Sequence, residues 1–214
     1  MEEHVKIKIC GITRPEEIDT LNEAKVDYAG FVFYEKSRRN VTFEAAASLK
    51  ERLRHGIKAV AVTVSPDESL VKQLEDIGFD IIQIHGQLSR KVLECARIPL
   101  WRAVNAGSVD DAEKLIKTEE RVAGDPADKI EAFVFDAPSF GSGVTSDWEG
   151  ARRPDTSKKF VLAGGLCAEN VAEGIRVFKP DIVDVSSSVE GRCGKDAARV
   201  FEFVNTVRKV TDHE

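Results

Sequence analysis

The sequence predicts an α/β protein folded as a (β/α)8 TIM barrel, with residues 1–214 forming a single barrel domain. Three observations lead there. Short apolar runs alternate with segments of helical period along the whole chain, the signature of parallel strands joined by crossover helices. About eight such units follow one another without a linker, which favours a closed barrel over a doubly wound open sheet, the second choice. The last two strand ends, Ala163-Gly164-Gly165 and Val185-Ser186-Ser187-Ser188, combine glycines and hydroxyls in a way that lets backbone amides crowd an anion.

Val5 to Cys10 opens the barrel, with Val5, Ile7 and Ile9 on one face and Lys6, Lys8 and Cys10 on the other. In a closed barrel that second face is the interior, where charge needs a functional reason. Thr13-Arg14-Pro15-Glu16 starts a helix with a capping-box pattern and a Pro in its first turn. Tyr28 to Phe33 is the second strand, followed by the basic loop Glu35 to Asn40 and a helix facing inward through Ala46, Leu49 and Leu53. Ile57 to Val64 is the third strand. Ser65-Pro66-Asp67-Glu68 caps the next helix, with Leu70, Val71, Leu74 and Ile77 inward.

Phe79 to Ile84 forms the fourth strand and leads into His85-Gly86; a weak helix follows around Val92 and Leu93. Pro99 to Val104 is the fifth strand, its helix marked by Ala112, Leu115 and Ile116. Thr118 to Lys129 is polar and reads as a loop. Ala132 to Phe135 is the sixth strand and delivers Asp136, after which a long loop runs through Gly141-Ser142-Gly143 to Trp148. The sixth helix is interrupted at Arg152-Arg153-Pro154. Phe160 to Ala163 and Pro180 to Val185 complete the strands, the first followed by a helix facing inward through Val171, Ile175 and Phe178. Lys195 to Lys209 closes the chain as a helix with Val200, Phe201, Val204 and Val207 inward.

Hydrophobic residues make up 42% and charged residues 32%, which is globular composition. A net charge of -6 gives a nucleic-acid partner no support, so an anionic substrate must be captured by local groups. No apolar run approaches the roughly 20 residues that span a bilayer. The acidic start, Met1-Glu2-Glu3-His4, does not read as a signal peptide. Four scattered cysteines and four scattered histidines lack metal-ligand spacing, so no metal is expected, and reduced thiols point to the cytoplasm.

Unusual residues collect at the strand ends, where barrel active sites lie: Cys10, Arg39, His85, Arg102, Asp136 and Asp184. Taken singly, Cys10 is a small core residue, Asp136 a turn cap, Arg39 a solvated charge and His85-Gly86 a turn. Asp184, inside an apolar strand, needs partners. Their shared location is what points to a site.

Lys8-Ile9-Cys10-Gly11-Ile12-Thr13 resembles the signature of the phosphoribosylanthranilate isomerase family of tryptophan biosynthesis. The resemblance continues in order through Gly30 to Phe33, Ser37 to Val41, Gln83 to Gly86, Phe135-Asp136, Gly141 to Gly143 and Asp147-Trp148. It ends in Ala163 to Leu166, Glu169 to Val171 and Val183 to Ser187. It implies an Amadori rearrangement of N-(5'-phosphoribosyl)anthranilate with neither cofactor nor metal. Asp136 would be the general acid and Cys10 the general base, its thiolate helped by Lys8. Arg39 would bind the anthranilate carboxylate, with Lys8, His85 and Asp184 as further substrate contacts. Gly143, Gly164, Gly165, Ser186 and Ser187 would cradle the phosphate.

The expected partner is therefore a small phosphorylated substrate, with no nucleic acid and no membrane, the protein acting as monomer or homodimer. Two departures from the family pattern bear on geometry. Ser37-Arg38-Arg39 replaces Ser-Pro-Arg, and Ser188 stands where a Gly is usual. The related histidine-pathway isomerase uses a carboxylate base on its first strand, against which Cys10 argues. A phosphate-binding barrel without activity is the reading from a different class, and Cys10 together with Asp136 argues against it.

Overall fold

Eight parallel strands close on themselves: β1 (Lys6–Cys10), β2 (Tyr28–Phe33), β3 (Lys58–Val64), β4 (Ile81–His85), β5 (Leu100–Asn105), β6 (Ile130–Asp136), β7 (Lys159–Ala163) and β8 (Ile182–Val185). The computed structural model describes residues 4–106, 108–123, 129–136 and 152–211, with backbone alone at Val122, Ala123, Asp136 and Thr211. Closure is made by β1, in which Lys8 is in register with Tyr28 on one side and with Asp184 on the other. The expected (β/α)8 barrel is thus the observed fold.

Strand alternation sorts the core into two parts. Tyr28, Val60, Ile81, Trp101, Ala132, Val161 and Ile182 fill the barrel interior. Trp101 is fully buried there, edge-on to Tyr28 with ring centroids 5.0 Å apart. The alternate residues, among them Ile7, Ile9, Phe31, Phe133 and Phe160, pack outward under the helices.

The helices are α1 (Pro15–Ala24), α2 (Phe43–Glu51), α3 (Glu68–Ile77), α4 (Arg90–Cys95), α5 (Val109–Ala123), α6 (Val171–Phe178) and α7 (Ala197–Thr211). Five begin with a side-chain cap, α5 from Ser108 (accepting from Asp111 N at 3.2 Å) and α7 from Asp196 (accepting from Arg199 N at 3.1 Å) among them. Thr42 accepts from Ala45 N at 3.2 Å, Asp67 from Leu70 N at 2.8 Å, and Ser89 from Val92 N at 3.2 Å.

Several elements differ from expectation for identifiable reasons. Helix α3 starts after Asp67 rather than at Pro66. Ser65 is held to the strand layer, its N–H on His85 O at 2.8 Å and its hydroxyl accepting from Gln87 N at 2.9 Å. The first helix is capped by Glu17, not Glu16; its carboxylate accepts from Thr13 N at 2.6 Å and Arg14 N at 3.0 Å. Thr118 to Ala123, expected as loop, continue α5, while Leu115 is exposed. In α7 the inward set is Val200, Phe203, Val204 and Val207, with Phe201 only partly covered. A short hairpin, β9 (Glu190–Gly191) with β10 (Gly194–Lys195), stands between β8 and α7 and was not expected.

Candidate functional site

A cavity of about 350 Å³ opens at the C-terminal ends of the strands. Cys10, Arg39, His85, Asp184, Gly164, Gly165, Ser186 and Ser187 all line it. A roomier hollow, about 530 Å³, lies at the opposite end between Arg97, Lys129 and Lys159, and none of the expected site residues borders it.

Lys8 lies beneath the cavity, fully buried, with its Nζ 2.6 Å from Asp184 Oδ2. Burial alone would push the Lys8 ammonium down, but Asp184 and Cys10 overcome that and hold its pKa above the ordinary lysine value. The thiol of Cys10 behaves differently. Burial pushes its pKa up, and although Lys8 pulls the other way, Asp184 adds to the rise. The net direction is upward, so Lys8, committed to Asp184, does not by itself make Cys10 a thiolate.

Arg39 comes from the loop after β2 and lies over Gly11, where any Cβ would collide with its Cδ. Gly11 also has φ +86°, a region that a side chain disfavours. The Arg39 guanidinium is engaged by Glu190: Nε to Oε1 is 2.5 Å and Nη2 to Oε2 is 3.0 Å. Lys195 Nζ, also buried, sits 2.9 Å from Glu190 Oε1 and 3.0 Å from Ser186 O. Burial pushes the Glu190 carboxyl up, but hydrogen bonds from Arg39 and Lys195 outweigh it and bring its pKa down to about 2. The neighbouring Arg38 is largely exposed and reaches Glu190 Oε2 at 2.6 Å, so the cavity arginine is Arg39.

A neutral pair also lines the cavity. Gln83 Nε2 and His85 Nε2 are 3.0 Å apart. Burial, followed by the charge of Lys8, lowers the His85 pKa to about 4, so its ring is uncharged at neutral pH. Gln83 is buried, and its Oε1 has no partner among the described residues.

Two loops form the opposite wall. Gly164 and Gly165 have φ of +82° and +62°, left-handed values that bend the chain sharply after β7. Ser188 adopts no such conformation; it sits in a 3₁₀ turn (Ser187–Val189) and its hydroxyl donates to Leu166 O at 2.5 Å. The usual glycine is therefore dispensable at this position, and the serine ties the two loops together. Ser186 Oγ donates to Cys10 O at 2.9 Å.

Asp136 is the last residue of β6, in register with Asn105 and Ala163. Gly143, its neighbours Gly141 and Ser142, and Asp147-Trp148 fall outside the described residues, and of the expected sixth helix the described part, Arg152-Arg153-Pro154, is not helical. Arg102 turns away from the cavity, its Nη1 on Ile84 O at 3.0 Å and its Nη2 on Glu119 Oε1 at 2.7 Å. Sequence reasoning passed over Glu190 and Lys195, since a lone Glu and Lys beyond a strand carry no motif. The Gly194 between them and a run too short for a helix were the available signals. Among the described residues, no three His, Cys, Asp or Glu are grouped to hold a metal, and no helix is long and apolar enough to cross a membrane.

Barrel and cavity together define a (β/α)8 protein with a polar site at the C-terminal mouth, walled on one side by glycine and serine loops. Residues 7–206 match the family model described as N-(5'phosphoribosyl)anthranilate (PRA) isomerase. Two proteins named N-(5'-phosphoribosyl)anthranilate isomerase are similar along nearly their whole length. The one from Thermoanaerobacter sp. (strain X514) is 37% identical, covering 96% of this chain and 99% of its own. That from Streptococcus mutans is 36% identical, with 95% and 99% covered. The crystal structure of phosphoribosyl anthranilate isomerase from Thermotoga maritima superposes with a TM-score of 0.80 at 31% identity, covering 96% of this chain and 99% of that one. A phosphoribosyl anthranilate isomerase crystallised with reduced 1-(o-carboxyphenylamino)-1-deoxyribulose 5-phosphate superposes at 0.78, with 29% identity and 96% and 99% coverage. The chain belongs to the N-(5'-phosphoribosyl)anthranilate isomerase family.

Proposed function

We propose that this single barrel domain converts N-(5'-phosphoribosyl)anthranilate to 1-(2-carboxyphenylamino)-1-deoxyribulose 5-phosphate in tryptophan biosynthesis. The carrying observation is that Cys10, Arg39 and the Gly164–Gly165 and Ser186–Ser187 loops line one cavity, which holds a base, a carboxylate reader and an anion cradle together.

Asp136 gives a proton to the furanose ring oxygen as the C1'–O bond breaks, leaving an iminium between C1' and the anilino nitrogen. Cys10 then takes the proton from C2', and the enol-amine that forms tautomerises to the ketone. Burial raises the Cys10 thiol, and the iminium, a cation created beside it by ring opening, favours its thiolate. The base is thus armed by the first step. Arg39 receives the anthranilate carboxylate as a planar fork, and Asp184, supported by Lys8, borders the sugar. Gly143 joins the cradle from its loop. Neither a cofactor nor a metal has a part in this chemistry. The protein works in the cytoplasm as a monomer or a homodimer; the Thermotoga maritima relative is described as dimeric.

The test is a fluorescence assay of N-(5'-phosphoribosyl)anthranilate consumption by the purified protein, with the histidine-pathway aminoaldose run beside it. Turnover of the first alone is expected. Turnover of neither overturns the proposal, and turnover of both widens the substrate range.

A further inference from the structure

The arginine at the cavity does not stand alone. One carboxylate, Glu190, gathers three cations: Arg39 on both of its oxygens, Lys195 on Oε1 and Arg38 on Oε2. In a chain with net charge -6, this cluster leaves a local excess of positive charge at the rim of the mouth. Glu190 is fixed from below as well, since its backbone O accepts from Arg199 at 2.6 Å and its hairpin partner Lys195 donates its N–H to buried Glu17 at 2.7 Å.

The geometry of the pair has a direction. Glu190 occupies the Nε and Nη2 edge of Arg39, and among the described residues nothing bonds Nη1. A guanidinium presents its donors in a rigid plane, so fixing one edge aims the other. Lys195 then joins this clamp to the β8 loop through Ser186 O.

We infer that Glu190 is a positioning residue that aims the free edge of Arg39 at the carboxylate of the substrate, with Lys195 anchoring it to the phosphate-side loop. This rests on the proposed isomerase reading and adds a residue to it. Glu190 need not touch the substrate; it acts through Arg39.

The decisive variant is Glu190→Gln, which keeps the shape and removes the charge. Binding of reduced 1-(o-carboxyphenylamino)-1-deoxyribulose 5-phosphate is compared with binding of ribulose 5-phosphate, which has no anthranilate carboxylate. Hydrogen bonds to charged groups are worth enough that the first affinity should fall roughly tenfold or more. The second should stay within about twofold, and KM should rise far more than kcat changes. Glu190→Asp should recover part of the loss, and Glu190→Gln should add nothing in an Arg39→Ala background.

Equal losses for both ligands would reduce Glu190 to a structural brace. Unchanged or tighter binding of the carboxyphenyl ligand would make it a bystander or a competitor; either result overturns the inference while leaving wild-type turnover intact. Wild-type protein that neither turns over N-(5'-phosphoribosyl)anthranilate nor binds the carboxyphenyl ligand overturns the isomerase reading and this inference with it.

Discussion

The same strands build two unlike regions. Low in the barrel, Tyr28, Val60, Ile81, Trp101 and Ile182 interlock as an apolar plug. One inward step higher, the positions are Gly30, Val62, Gln83, Ala103 and Asp184, and at the rim stand Cys10 and His85. Two residues along a strand thus separate packing from chemistry. The lower layer is held by contact, apart from Trp101 Nε1, which donates to Glu131 Oε2 at 3.3 Å. The upper one buries a lysine, a carboxylate and an amide and half-buries a neutral imidazole, each costly unless paired or discharged, and the Lys8–Asp184 pair at 2.6 Å is how two of them are accommodated.

That contrast can be broken from either side. The largest effect is expected at the rim: Asp136→Asn should cut turnover by about 10²–10⁴-fold or more, the range for a positioned acid, while the thermal midpoint stays near that of the wild type. A variant with near-normal turnover would remove Asp136 from the chemistry. The opposite pattern is expected below, where Trp101→Ala should lose roughly 3–5 kcal/mol in chemical unfolding. Its surviving folded fraction should keep kcat, and a selective loss of kcat at full stability would erase the division between the layers.

A third expectation concerns pH. The His85 pKa is lowered from 6.5 to about 4, so between those values the unfolded chain binds a proton that the folded one refuses. Stability therefore falls as pH drops from 6.5 towards 4, by up to about 3 kcal/mol from this group. His85→Asn should flatten that slope, and an unaltered slope would assign it to other groups. The smallest effect is chemical. Because the Cys10 thiol is raised above its ordinary value of 9.0, its alkylation by iodoacetamide, followed by peptide mapping, should lag that of exposed Cys193 at pH 7. Faster labelling of Cys10 would mean that the resting base is already ionised.

Much of this organisation was legible in the residues. Given a closed barrel, the Lys6-Lys8-Cys10 face is an interior one, and the glycine and serine strand ends mark the cavity wall. What escaped was set by long-range pairing. Arg102 looked like a rim residue and Thr118 to Ala123 looked like loop for one shared reason: Glu119, a polar residue on the inner side of α5, meets Arg102 behind the barrel at 2.7 Å. No local pattern announces a buried ion pair between a strand and its following helix. The Glu190–Lys195 hairpin was hidden likewise, since its meaning lies in Arg39, about 150 residues earlier.

The hydroxyl of Ser186 rests on the carbonyl of Cys10, and that single link turns the mouth into a ruler. The wall that would grip a phosphate and the strand that carries the thiol share one anchor, so the span between them cannot stretch to suit the guest. If that wall holds the phosphate as proposed, a sugar phosphate one carbon shorter or longer is expected to seat its anion with its reactive carbon out of reach.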